Sequence, residues 1–178
     1  MRFVELPLKG AYLVEVQPHV DSRGLFARTF CAQEFRGLGL VEVFVQCNTS
    51  WNPQSGTIRG LHYQLLPSSE VKLVRCTSGA IWDVIVDLRE DSPTYLQHVG
   101  IELTATNRRA LYIPGTFAHG FQSLKDRTEV FYQMSEYHAP ELAQGVRYDD
   151  PTLRIQWPRT VTSISERDQT WPLLAQED

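Results

Sequence analysis

Short apolar or alternating runs recur along most of the chain: "AYLVEV", "LVEVFVQCN", "IRGLHYQLL", "VKLVRCT", "IWDVIVDL", "HVGIEL", "RALYIP" and "TEVFYQMS". Turn-forming stretches such as "DSRG", "NPQSG", "EDSPT" and "LKDR" separate them. Many short strands at this spacing predict an antiparallel sandwich or barrel. No Gly-rich strand-to-helix turn of the phosphate-binding type is present, which argues against a doubly wound nucleotide fold. Helical signals are confined to two places. "AQEFRGLG" ends in glycine, as helices often do, and "SISERD" sets Ser165 and Asp168 at capping-box spacing in a segment that stops before Pro172.

Strand alternation puts side chains two apart on one face. In the strand from Ile58, His62 shares its face with Gly60 and Gln64, while Arg59, Leu61 and Tyr63 point the other way. Lys72 falls with Val74 and Cys76, and Tyr132 with Val130 and Met134. Asp83, Ile85 and Asp87 oppose Trp82, Val84 and Val86. Several strands thus carry a single ionisable group among apolar neighbours. A closed jelly roll around a polar-dotted cavity accounts for that pattern better than a dry sandwich core. The expected fold is all-β, a jelly-roll barrel or sandwich with a few short peripheral helices, in one domain spanning 1–178.

Composition narrows the partners. A chain of 178 residues, 42% hydrophobic and 21% charged, is long enough for its own core and reads as an ordinary globular protein. A formal charge of -4 without clustered Lys and Arg gives no reason to expect nucleic acid, although an anionic small ligand can still be held by a few local cations. Cys31, Cys47 and Cys76 show no Cys-x-x-Cys spacing, so neither a disulfide framework nor a zinc site is suggested. The opening "MRFVELPLKGAYLVEV" has no long apolar signal core, and no segment approaches the roughly 20 apolar residues of a spanning helix. The expectation is a cytoplasmic protein with no membrane partner.

His62 has three readings: a packed strand histidine, a metal ligand or a base. Small barrels of this kind bind metal through a His-x-His pair followed by a carboxylate and a distant histidine. Here Gln64 takes the second place, Glu70 lies in the following loop and His119 is the distant histidine, so no metal is expected. An imidazole, with its ordinary pKa near 6.5, suits proton removal near neutrality once an acceptor orients its other nitrogen. Asp83, Asp87 and Asp168 are candidates by residue type, with Asp168 also explained as a helix cap. Lys72 can stabilise an oxyanion and Tyr132 can return a proton. Alone, each reads as an ordinary strand residue. With His62 they suit proton abstraction beside a carbonyl. Arg59, Arg23 and the alternating Gln46, Asn48 and Ser50 can hold an anionic group, though solvated strand arginines are common.

The segments "DSRGLF", "VQCNTS", "IRGLHYQ", "KLVRC", "IWDVIVDLREDSPT", "YIPGTFAHGF", "EVFYQMS", "IQWP" and "SERDQTWPLL" together resemble the dTDP-4-dehydrorhamnose 3,5-epimerases along nearly the whole chain. That resemblance implies a cupin jelly roll without metal or other cofactor, dimeric, with each site completed by a strand and loop of the other subunit. It puts the base on His62, its orienting aspartate on Asp168, the acid on Tyr132 and the lysine near the C4 oxygen on Lys72. His119 matches a binding-site histidine. Arg59, Gln46 and Asn48 match residues that hold the nucleotide sugar, and Arg23 and Phe26 match residues supplied by the partner subunit. The implied substrate is a nucleoside-diphosphate 4-keto-6-deoxyhexose, deprotonated at C3 and in many members also at C5.

Four positions depart from the family's pattern in the nucleotide-contacting set. Arg28 stands where many members have a carboxylate, His138 where a second tyrosine follows Tyr137, Gln144 where a glutamate precedes the glycine, and Arg167 where a lysine precedes the aspartate. A changed base or sugar and drift around a thymidine site both account for them. The alternatives to a two-centre epimerase are a single-centre epimerase or related ketosugar isomerase, a non-catalytic sugar-nucleotide-binding module, and a metal-dependent cupin oxygenase.

Overall fold

The computed structural model describes residues 1–174. One sheet runs in the order β1 (Arg2–Glu5), β2 (Tyr12–Glu15), β10 (Ala110–Ile113), β7 (Lys72–Ser78), β12 (Thr128–Met134), β5 (Gln46–Asn52). The other runs β13 (Ala143–Gly145), β6 (Ile58–Gln64), β11 (Phe117–Ser123), β8 (Ala80–Asp87), β9 (His98–Thr104). A separate hairpin joins β3 (His19–Asp21) to β4 (Gly24–Phe26), and two short helices, α1 (Ala32–Arg36) and α2 (Glu166–Thr170), lie outside the sheets. The strands within each sheet pair antiparallel, and the whole is the jelly roll expected from the pattern of runs.

Alternation distributes the apolar residues among three layers. Between the sheets lie Val74 and Cys76 of β7, Ile81 and Ile85 of β8, Phe121 of β11 and Val130 of β12. Outside the first sheet, Phe35 of α1 packs on Val14, Leu73, Ala110 and Tyr112. Outside the second, Val84 and Val86 of β8 are covered by Val146, Leu153, Ile155 and Trp157. The two faces read for β8 are therefore both covered, with Asp83 and Asp87 buried among the residues of the inner one. Burying a Leu, Ile or Phe side chain is worth about 1.5–3 kcal/mol, so these layers supply the main force holding the sheets together.

β6 departs from simple alternation. It pairs with β11 at His62↔His119 and again at Arg59↔Phe121, so β6 spends one more residue than β11 between those two points. Such a bulge carries later side chains to the opposite face. Gly60 sits in it at φ +124, and a Cβ there would stand 2.5 Å from the Gly120 Cα, so only glycine fits. As a result Arg59 and His62, expected on opposite faces, line one cavity.

Candidate active site

That cavity, of about 960 Å³, is lined by residues of β5, β6, β7, β11, β12, β13 and α2. His62 projects into it from β6. Its Nε2 lies 2.6 Å from Oδ1 of Asp168, 106 residues further along the chain. An ionised carboxylate only accepts hydrogen bonds, so Nε2 carries the hydrogen and the lone pair is left on Nδ1. The other Asp168 oxygen accepts the Gly60 N–H at 3.2 Å, so the bulge glycine also anchors the aspartate. Burial pushes the Asp168 carboxyl up, but the hydrogen bond and charge of His62 and the Gly60 amide outweigh it, leaving the group below its ordinary range.

α2 delivers Asp168. Ser165 caps the helix, its Oγ accepting the Asp168 N–H at 3.1 Å, so the capping spacing is real while the carboxylate is free for His62. Trp171 closes the helix against β13, where a Cβ on Gly145 would stand 2.2 Å from the indole. Arg167 stacks over that indole at 4.8 Å and lines the cavity.

The facing sheet supplies the remaining groups. Lys72 on β7 is buried, pairs with Glu70 at 2.9 Å and donates to the His62 carbonyl at 3.4 Å. Tyr132 on β12 shares a hydrogen bond of 3.0 Å with Ser50. Burial raises its phenol above the ordinary tyrosine range; the Ser50 hydrogen bond and Arg59 oppose the shift, and Asp83 adds to it. The phenol is therefore protonated across the neutral range.

His119 also faces the cavity, its Nε2 2.6 Å from Asp83 Oδ1, and its ring centroid is 6.3 Å from that of Tyr132. The three aspartates that residue type could not separate thus have separate partners. Asp168 serves His62, Asp83 serves His119, and Asp87 is held by Arg89, Ser92 and Thr94.

Gln46, Asn48, Arg59, His138 and Gln144 line the same cavity, and Gln46 Oε1 accepts the His138 backbone N–H at 3.2 Å. Arg23, Phe26 and Arg28 do not line it. Arg23 on the β3–β4 hairpin pairs with Asp21, Phe26 is largely exposed, and Arg28 pairs with Glu34 at 2.9 Å. Sequence reasoning did not single out Asn52, which holds Arg59, or the pairing of Glu70 with Lys72. For Asn52 the available signal was the alternation of Gln46, Asn48 and Ser50 carried one step further. Among the described residues no three His, Cys, Asp or Glu side chains converge as metal ligands.

A carboxylate-backed imidazole, a lysine and a protonated phenol around one cavity make this jelly roll a site equipped for acid–base chemistry. Its relatives agree with that class. A family model described as dTDP-4-dehydrorhamnose 3,5-epimerase matches residues 5–176. The dTDP-4-dehydrorhamnose 3,5-epimerase of Methanothermobacter thermautotrophicus is 42% identical over 173 residues, covering 96% of this chain and 92% of that protein. The crystal structure of the Bacillus anthracis dTDP-4-dehydrorhamnose 3,5-epimerase, with TDP and PPi bound, matches with a TM-score of 0.94 and 42% identity over 97% of this chain and 99% of that one. A 3'-monoepimerase from Streptomyces bikiniensis, in complex with dTDP-quinovose, matches with a TM-score of 0.88 and 32% identity over 94% of this chain and 85% of that one. The chain belongs to the dTDP-4-dehydrorhamnose 3,5-epimerase family. It is an isomerase, and its activity is that of an epimerase.

Proposed function

We propose that the protein inverts C3 and C5 of a nucleoside-diphosphate 4-keto-6-deoxyhexose, with His62 as base and Tyr132 as acid. One observation carries this reading: His62 and Tyr132 enter the cavity from opposite sheets. Inversion requires a proton to leave one face of the sugar and another to arrive on the opposite face, so base and acid must flank the ring. Nδ1 of His62 takes the proton α to the ketone, and the C–H electron pair moves into an enolate whose oxygen meets the Lys72 ammonium. Tyr132 delivers its proton to the other face of the same carbon. Asp168 fixes the tautomer and stabilises the imidazolium that forms.

Arg59 and Arg167 give the cavity positive charge for a diphosphate. The hairpin residues Arg23 and Phe26, and with them Arg28, belong in this reading to the partner's site in a homodimer. Their position away from their own chain's cavity, with Val20 and Phe26 exposed, supports that assignment. The free thiols Cys31, Cys47 and Cys76 suit a reducing cytoplasm. Among the described residues no helix is long and apolar enough to cross a membrane.

The test is turnover of dTDP-4-keto-6-deoxyglucose in deuterated water. Deuterium at C3 and C5 of the product is expected, label at C3 alone marks a single-centre epimerase, and no label at either carbon overturns the reading. Sedimentation at micromolar concentration checks the dimer.

A further inference from the structure

The way Arg59 is held at the cavity differs from the way the protein holds Arg89. Arg89 is fixed by the carboxylate of Asp87, at 2.8 Å from Nε and 2.8 Å from Nη2, so its charge is cancelled where it stands. Arg59 is held by neutral acceptors. Its Nε donates to Asn52 Oδ1 at 2.8 Å and its Nη2 to the Trp51 carbonyl at 3.2 Å, and among the described residues it has no carboxylate partner. Asn52 is fully buried at 0% exposure, and its Nδ2 donates to the Thr128 carbonyl at 3.2 Å. That second bond dictates which end of the amide faces Arg59: the NH₂ is committed to Thr128, so the oxygen must point at the guanidinium. Asn52 ends β5 in one sheet and Arg59 is the second residue of the bulged strand β6 in the other, so the contact ties the two sheets beside the cavity.

From this we infer that Asn52 is a positioning residue that orients Arg59 toward the diphosphate of the substrate while leaving its charge uncancelled. The inference rests on the nucleotide-sugar reading of the cavity. A carboxylate at position 52 would hold the guanidinium in the same place and remove the net charge the ligand needs, whereas an amide supplies the hydrogen bond without the charge. Side chains too short to reach Arg59 would free it to sample other rotamers. Asn52 touches no reacting atom, so its effect belongs in binding.

The experiment measures dTDP binding by calorimetry, together with kcat and KM, for Arg59→Ala, Asn52→Asp, Asn52→Ala and the double variants. Arg59→Ala is expected to weaken dTDP about tenfold or more, since a hydrogen bond to a charged group is lost. Asn52→Asp should raise the dTDP Kd and the KM about tenfold, with kcat moving by less than about twofold. In the Arg59→Ala background neither Asn52 variant should add a further loss beyond about twofold, because the residue acts through Arg59. A purely structural role would weaken binding equally in both backgrounds, and that result overturns the inference. Should Asn52→Asp fail to fold, the Asn52→Ala cycle decides in the same way. If Arg59→Ala weakens dTDP and both Asn52 variants bind like the parent, the inference fails and the nucleotide reading stands. If Arg59→Ala itself binds dTDP unchanged, the diphosphate role of Arg59 fails, and the role of Asn52 with it.

Discussion

Two cavity histidines each pair with an aspartate at the same separation of 2.6 Å, yet the pairs are built differently. In His119–Asp83 both side chains are enclosed, at 5% and 0% exposure, and both come from neighbouring strands β11 and β8. In His62–Asp168 the aspartate is enclosed at 6%, the imidazole is 46% exposed, and the partner arrives on a capped helix from the far end of the chain. A buried pair in fixed register holds its imidazole rigidly at the cavity wall. A half-open imidazole with a buried anchor has one nitrogen locked and the other available to a ligand. Identical distances therefore carry different consequences, and exposure decides which.

The largest expected effect separates the pairs outright. His62→Ala should lower kcat by about a thousandfold, the range for loss of a positioned general base, and abolish deuterium exchange into the substrate. A variant that still exchanged at the wild-type rate would erase the distinction between the two histidines. Asp168→Asn should follow with a loss of about 10- to 100-fold in kcat, read against an unchanged dTDP affinity, because the imidazole loses its anchor but not its place on β6.

On the other side of the comparison the readout is stability. Asp83→Ala leaves a buried imidazole without its charged acceptor and should cost about 2 kcal/mol in urea unfolding, where Asp168→Asn costs less. The smallest effect is a dependence on pH. The Asp168 carboxyl is lowered in the fold, so the folded state binds fewer protons than the unfolded chain near its ordinary value of 3.8. Its contribution to stability is present above that pH and is lost as pH falls through the lower folded value. The difference in unfolding midpoint between the wild type and Asp168→Asn should therefore shrink as pH falls below about 4. A difference that grew on acidification would reverse the assigned direction.

Much of the barrel was legible because alternation is a local rule. The faces assigned to β7, β8 and β12 hold: Val74, Cys76, Ile85 and Val130 lie between the sheets, and Lys72 and Tyr132 reach the cavity from the same side as those neighbours. Both short helices fall where their capping and glycine signals put them. The rule failed at β6, where a glycine at φ +124 inserts one residue and turns Arg59 onto the face of His62. Periodicity has no term for such an insertion, although the glycine itself stood in the sequence.

The sequence alone determined most of the strands and buried faces and, through motif resemblance along nearly the whole chain, the family; of the residues it singled out, His62, Lys72, Tyr132 and Asp168 line the cavity while Arg23, Phe26 and Arg28 do not. Tertiary structure decided the pairings. Asp83, Asp87 and Asp168 are the same residue type, and nothing local distinguishes an acid that will meet His119 across adjacent strands from one that will meet His62 after 106 intervening positions. It likewise decided that Arg59 would be held by an amide and Arg89 by a carboxylate. The physical reason is range: side-chain direction along a strand is fixed by backbone geometry within a few residues, whereas the partner of a buried polar group is fixed by which segments the closed barrel brings together.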